Sequence, residues 1–155
     1  MRGVVPRVYC DTSVFGGVFD REFMTPSRAF FQQVRNGRFS LVTSDMVRRE
    51  IAAAPSEVQR YYLAMLPLAD VVSIGSEADR LQTAYVQAGV VSPKWAADAL
   101  HVALASVNAC SLIVSWNFSH IVHFGKIPRY NAVNALNGLG AIAIHSPLEV
   151  VGDED

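Results

Sequence analysis

Residues 94–117 read KWAADALHVALASVNACSLIVSWN, and this stretch decides the fold class. Its first part is apolar nearly all round a helical wheel, the pattern of a helix buried on every side. After a break near Asn108 comes a short apolar run, Leu112 to Ser115, the pattern of a strand covered on both faces. Working outward, the same alternation repeats. Downstream, the spacing predicts a helix over 129–137 and a last strand over 141–144. Upstream it predicts strands over 4–10, 39–43 and 71–74. Helices are predicted over 26–36 (Thr25 as cap, Gly37 as stop), from a Ser44 cap to 54, over 56–66 between two prolines, over 76–87 with Gly89 past its end, and over 93–108. About five strands separated by helices predict an α/β fold with a parallel central sheet, helices on both faces.

The chain has 155 residues, enough for one domain and short for two, so 1–150 reads as a single domain and 151–155 as a short acidic tail. With 51% hydrophobic and 17% charged residues it is no disordered segment, and a net charge of −1 excludes a basic coat as the means of holding nucleic acid. The two cysteines, Cys10 and Cys110, have no CxxC spacing, which excludes a disulfide scaffold or zinc ribbon and makes a reducing cytoplasm the expected location. Pro6 and Arg7 interrupt the only apolar stretch an export signal could use. The segment from Trp95 to Gly125 is too rich in polar residues to cross a membrane.

Three acids stand in apolar surroundings. Asp11 directly follows the first strand in YCDTSVFGG, with hydroxyls at Thr12 and Ser13 and with Gly16-Gly17 permitting a close backbone approach. Its structural alternative is a helix cap or Asx turn. Glu50 shares a helical face with Met46, Val47, Ile51 and Ala54; its alternative is a buried arginine pair. Asp98 lies on the apolar helix, with Lys94 the only cation one turn away. If the three converge, carboxylates about 4 Å apart repel by roughly 4 kcal/mol at an effective dielectric of 20. A hard, oxygen-preferring cation removes that cost and inverts the local charge for an anionic substrate.

YCDTSVFGG after the first strand, an interior Glu in MVRREI, AADALHVALA on a long helix and VSWNFSHIV after a late strand together resemble the PIN domain, more narrowly VapC-type toxin ribonucleases of an SWNF-containing subgroup. The resemblance runs from Val8 to about Pro147. It implies a Rossmann-like three-layer α/β/α sandwich and a metal-dependent endoribonuclease that hydrolyses phosphodiester bonds by in-line displacement. It implies that Asp11, Glu50 and Asp98 hold Mg²⁺ or Mn²⁺ and that Asn117 occupies a position where relatives often carry a further Asp. The partners it implies are an RNA substrate, a cognate antitoxin and a second copy in a homodimer. The alternative is a non-catalytic PIN-like module that binds RNA or protein.

Thr12 and Ser13 stand beside the first acid. His101, one turn after Asp98, reads either as a satisfied core histidine or as a support for a metal-bound carboxylate. His120 and His123 read as loop residues, and both cysteines as buried small hydrophobes. Arg35, Arg38, Arg48, Arg49, Lys94, Lys126 and Arg129 are candidates for the nucleic-acid backbone. Tyr61, Tyr62, Met65 and Leu66 read mainly as core packing, with a protein interface as the alternative. A haloacid-dehalogenase-like phosphotransferase is excluded by Ser13, which stands where that chemistry wants a second acid.

Overall fold

The computed structural model describes residues 4–152; the last residues of the acidic tail, 153–155, lie outside them. Five parallel strands, β1 (Arg7–Cys10), β2 (Ser40–Ser44), β3 (Ala69–Val72), β4 (Leu112–Val114) and β5 (Ala143–His145), form one sheet in the order β3-β2-β1-β4-β5. Val8, Tyr9 and Cys10 of the central strand are fully buried, as expected where helices cover both faces. The helices are α1 (Thr12–Gly17), α2 (Met24–Arg35), α3 (Asp45–Ile51), α4 (Ser56–Met65), α5 (Ser76–Gln87), α6 (Ala96–Val107), α7 (Ile127–Leu136) and α8 (Pro147–Val150). α1 packs on α2, α3 and α4, and α8 on α2, while α5 packs on α6 and α7, giving two helical layers about the sheet.

The strand order reverses direction between β1 and β4: β2 and β3 lie to one side of β1, β4 and β5 to the other. In open parallel sheets the crevice beyond the carboxyl ends at such a switch point is the ligand position. Tyr9 pairs with Ile113 and Cys10 with Val114, so the next residues, Asp11 and Ser115, emerge there side by side.

Several local readings hold. Ser44 caps α3 by accepting the Val47 N–H at 3.1 Å. Gly37 and Gly89 take left-handed φ values of 80° and 74° just past α2 and α5, where a side chain would be strained. Others are corrected. The first strand begins at Arg7, not residue 4, because Val4 and Val5 are exposed coil. Thr25 does not cap α2, which starts at Met24 with no side-chain cap. The edge strand β3 is shifted two residues toward the N-terminus of its expected span; Asp70 and Val71 face solvent there, so no burial pattern marks its register. α1 and α8 were not expected, and Pro93–Trp95 forms a 3-10 turn ahead of α6 rather than its first turn.

In α4 the core-packing reading holds. Tyr62 and Met65 are core residues, Tyr62 edge-on to Phe15 at 5.2 Å, whereas the exposed apolar side chain of the helix is Leu63. No helix among the described residues is long and apolar enough to cross a membrane.

Candidate active site

Asp11 follows β1 directly and caps α1, its Oδ1 accepting the Ser13 N–H at 3.1 Å. It is both the cap and a buried acid, 4% exposed. The Ser13 hydroxyl donates to Oδ1 at 2.6 Å, and the Ser115 hydroxyl to Oδ2 at 2.6 Å. Each serine oxygen in turn accepts an amide from the loop after β4, Trp116 N–H to Ser13 at 2.8 Å and Asn117 N–H to Ser115 at 2.9 Å. The carboxylate is thus oriented from α1 and from the loop after β4, entirely by neutral donors. Burial pushes its pKa up, opposed by the charge of His101 and the hydroxyls of Ser115 and Ser13, with the charge of Glu50 adding to the rise. No guanidinium or ammonium pairs with it among the described residues.

Glu50, near the end of α3, turns back toward Asp11's helix rather than into the apolar core. Its side chain is 44% exposed, and its partner is histidine, not the arginine weighed from sequence. Oε1 accepts the Thr12 hydroxyl at 3.0 Å and His101 Nε2–H at 2.7 Å. Burial raises the Glu50 pKa, but the hydrogen bond and charge of His101, with the Thr12 bond, outweigh it and the net shift is downward.

His101 is 3% exposed and fully engaged. Because a carboxylate only accepts, Nε2 carries a proton toward Glu50, while Nδ1 lies 2.8 Å from the Tyr9 hydroxyl. Tyr9 in turn meets Ser44 Oγ at 2.8 Å, and Ser44 is the α3 cap. One hydrogen-bonded chain therefore links the Val47 amide, Ser44, Tyr9, His101 and Glu50. His101 is satisfied within the core and also hydrogen-bonds the half-exposed carboxylate of Glu50. Tyr9, Ser44 and Ser115 were not singled out as site residues. Their signal was positional, polar groups in or at the carboxyl ends of otherwise apolar central strands.

Asp98 occupies the first turn of α6, half-buried, one turn before His101. The positive end of the helix dipole faces it, a stabilisation unseen when the helix was read as starting at 93. Lys94 does not pair with it but lies over the Trp95 ring at 5.0 Å. The Asn117 amide oxygen accepts the His120 N–H at 2.9 Å, closing the loop after β4. Asp11, Thr12, Ser13, Glu50 and His101 are thus joined by hydrogen bonds or charge coupling, while Asp98 stands at the same end of the sheet without a hydrogen-bond partner among the described residues.

Among the described residues no three His, Cys, Asp or Glu side chains converge as a closed metal cage. The donor chemistry nonetheless fits a hard divalent ion. The site offers carboxylate and hydroxyl oxygens, an acid buried without a cationic partner, and no thiolate. The Cys10 thiol is pushed well up by burial and then by the charge of Asp11, and that of Cys110 up to about 11, chiefly by burial, so both stay protonated. One or two carboxylates with water and phosphate oxygens completing the shell is how Mg²⁺ is commonly held.

Most candidate backbone-gripping cations are committed elsewhere. Lys126 and Arg129 donate to the Val90 and Ala88 carbonyls beyond α5, Arg38 to the Val151 carbonyl, and Arg48 pairs with Asp45.

No family model matches the chain, and no curated protein is similar to it in sequence. Solved structures are similar in fold. One is VapBC2 from Rickettsia felis bound to a DNA fragment from their promoter, at 10% identity and a TM-score of 0.56, covering 90% of this chain and 98% of that chain. Another is FitAB bound to an IR36 DNA fragment, at 12% identity and a TM-score of 0.57, covering 96% of this chain and 98% of that one. The fold is therefore the PIN-like, Rossmann-like α/β/α sandwich that the motifs resembled.

Proposed function

We propose that this chain is a metal-dependent endoribonuclease of the cytoplasm, the toxin of a type II toxin–antitoxin pair. The observation that carries the reading is Asp11: a 4% exposed carboxylate at the switch point, hydrogen-bonded only by neutral groups, with a second carboxylate held beside it by a buried histidine. A neutral residue could cap α1 as well, and burying the charge costs free energy unless a cation joins it. Asp11, Asp98 and Glu50 would hold Mg²⁺ or Mn²⁺, which supplies Lewis-acid stabilisation of phosphate oxygens and lowers the pKa of an attacking water. The chain's own residues do the positioning. Ser13 and Ser115 orient Asp11, while Thr12 and His101 fix one oxygen of Glu50, leaving Oε2 without a hydrogen-bond donor among the described residues. Similarity to the VapBC2 and FitAB complexes supports a cognate antitoxin as partner, and the resemblance of the motifs to the PIN domain implies a homodimer.

A second reading, a PIN-like module that binds without cutting, is favoured by Asn117, whose amide oxygen is spent on His120, and by the absence of a three-ligand group among the described residues. Incubating a mixed RNA pool with Mn²⁺ separates the two readings. The parent is expected to cleave, and Asp98→Asn to lose at least ~10²-fold in rate while its melting temperature falls by only about 1–4 °C, the loss of the helix-dipole contribution. Equal rates would remove Asp98 from the site. An Mn²⁺ titration showing no heat above dilution, with no cleavage, would favour the inert module.

A further inference from the structure

The loop after β4 fixes a histidine whose ring nitrogens have nothing to bond. His120 donates its backbone N–H to the Asn117 amide oxygen at 2.9 Å, and its carbonyl accepts the Tyr130 hydroxyl at 2.7 Å. Its ring lies on the Trp95 indole, centroids 4.4 Å apart and planes 23° from parallel. Nδ1 is sealed from solvent without a hydrogen-bond partner, whereas Nε2 of this half-buried side chain stays open to solvent. Phenylalanine would stack on Trp95 as well and bury no unpaired nitrogen, so packing does not account for a histidine. A proton on Nδ1 would make a buried donor with no acceptor. The neutral ring therefore carries its proton on Nε2, and a charged ring carries one there in any case. In either state His120 is an outward N–H donor on a rigid mount.

Its position ties it to two of the acids. Asn117, which holds the His120 amide, donates to Ser115, and Ser115 donates to Asp11. Tyr130, which holds the His120 carbonyl, has its pKa pushed up by burial, then by the charges of Tyr85 and Asp98, so it stands within electrostatic reach of Asp98. Lys94 Nζ lies 5.0 Å from the centroid of the same Trp95 ring and pairs with no carboxylate among the described residues.

We infer that His120 Nε2–H and the Lys94 ammonium, both mounted on Trp95, form a clasp for a backbone phosphate of the RNA, next to the phosphate held at the carboxylates. This rests on the nuclease reading of the same site and names the groups that grip its substrate. A fixed N–H donor beside an ammonium suits the oxygens of a phosphodiester, a contact that positions a strand without reading its bases. The clasp gives Trp95 a use at the start of α6, where it makes no capping hydrogen bond. It also gives Asn117 one, since the amide oxygen that a metal would otherwise take aims His120.

The test is binding of a labelled RNA strand of about ten nucleotides in EDTA, read by fluorescence anisotropy, beside steady-state cleavage in Mn²⁺. His120→Phe keeps a ring on Trp95 and loses the donor. It is expected to melt no lower than the parent and to bind roughly 10- to 100-fold more weakly, the effect of one hydrogen bond to a charged group. In cleavage the loss should fall on KM, with kcat within about 2-fold of the parent. His120→Gln, whose amide nitrogen can take the place of Nε2, should recover most of the affinity. Lys94→Gln should lower the slope of log affinity against log salt by about 0.7, one phosphate contact on a single strand. A His120→Phe protein that binds as the parent does, a glutamine variant no tighter than the phenylalanine one, or an unchanged slope in Lys94→Gln overturns the inference. So does a fall in kcat with KM unchanged, which would reduce His120 to a prop for Asp11 through Asn117 and Ser115. The two readings fail separately. A protein that binds RNA through His120 and Lys94 but never cuts it keeps the clasp and loses the nuclease, and one that cuts and binds equally well without His120 does the reverse.

Discussion

Asp11→Asn is expected to raise the stability of the metal-free protein while removing its activity. The carboxylate is 4% exposed and its pKa is raised, chiefly by burial, so the charged form is the costly one in the folded state. Asparagine satisfies the same positions: its oxygen can accept from the Ser13 amide and hydroxyl, and its NH₂ can donate to Ser115, whose hydroxyl is free to rotate. The gain is on the order of 1 kcal/mol, about 2–4 °C in melting temperature for a chain of this size. Cleavage should fall by at least ~10²–10³-fold, because the variant lacks the one buried negative charge that opposes a cation. Added Mn²⁺ is expected to stabilise the parent and leave the variant unchanged, since only a ligand that binds the folded state shifts its melting.

The pH dependence gives this prediction its sign. For an acid whose folded pKa is raised, the native state carries no penalty below the ordinary aspartate value of about 3.9. The penalty grows as pH rises through the window between that value and the raised one, then stays constant. In EDTA, therefore, the variant's advantage over the parent should be full at neutral pH and vanish as pH falls through the window. Glu50 acts in the opposite direction. Its lowered pKa contributes stability above the ordinary glutamate value that is lost as pH falls through the folded one, but at 44% exposure that contribution is small. A parent more stable than Asp11→Asn at neutral pH without metal would mean that Asp11 is a structural cap and nothing more.

How far the sequence could be read depended on what each signal measures. Gly37, Gly89 and Ser44 mark their elements through backbone chemistry local to a few residues, and all three stand where expected. α1 escaped because TSVFGG carries two glycines and too few residues for periodicity; it forms because Asp11 caps it and Val14 and Phe15 bury themselves. α8 did carry a readable sign, the Ser146-Pro-Leu-Glu149 capping box, in a helix too short to show a stripe. At the site, the acids were legible as charges in apolar segments. Their partners were not. That Glu50 meets His101 and that Ser115 meets Asp11 depends on helix orientation and strand register across 51 and 104 residues of separation. Periodicity places a residue on a face and says nothing of which face it meets.

The two neighbouring glycines of α1 should respond to alanine with opposite signs. A Cβ on Gly16 meets nothing within 4 Å, so Gly16→Ala gains helix propensity and reduces unfolded-chain entropy, worth up to about 1 kcal/mol. A Cβ on Gly17 would stand 2.5 Å from Ser27 Oγ and 2.8 Å from Trp116 Nε1. Those two atoms form a buried hydrogen bond of 2.9 Å, and neither can withdraw freely: Ser27 is fully buried in α2, and the indole is stacked on Phe23. Overpacking at about 1–3 kcal/mol together with a broken buried hydrogen bond at about 1 kcal/mol exceeds the propensity gain. Gly17→Ala should therefore cost roughly 1–3 kcal/mol net, lowering the melting temperature by about 2–12 °C. The strain also reaches the carboxylate, since the Trp116 amide holds Ser13 and Ser13 holds Asp11. Cleavage by the still-folded Gly17→Ala protein, assayed well below its melting point, should then fall while that of Gly16→Ala does not. Two alanine variants melting together would show that α1 is free to move off the Trp116 indole, and the positioning of Asp11 by the loop after β4 would go with it.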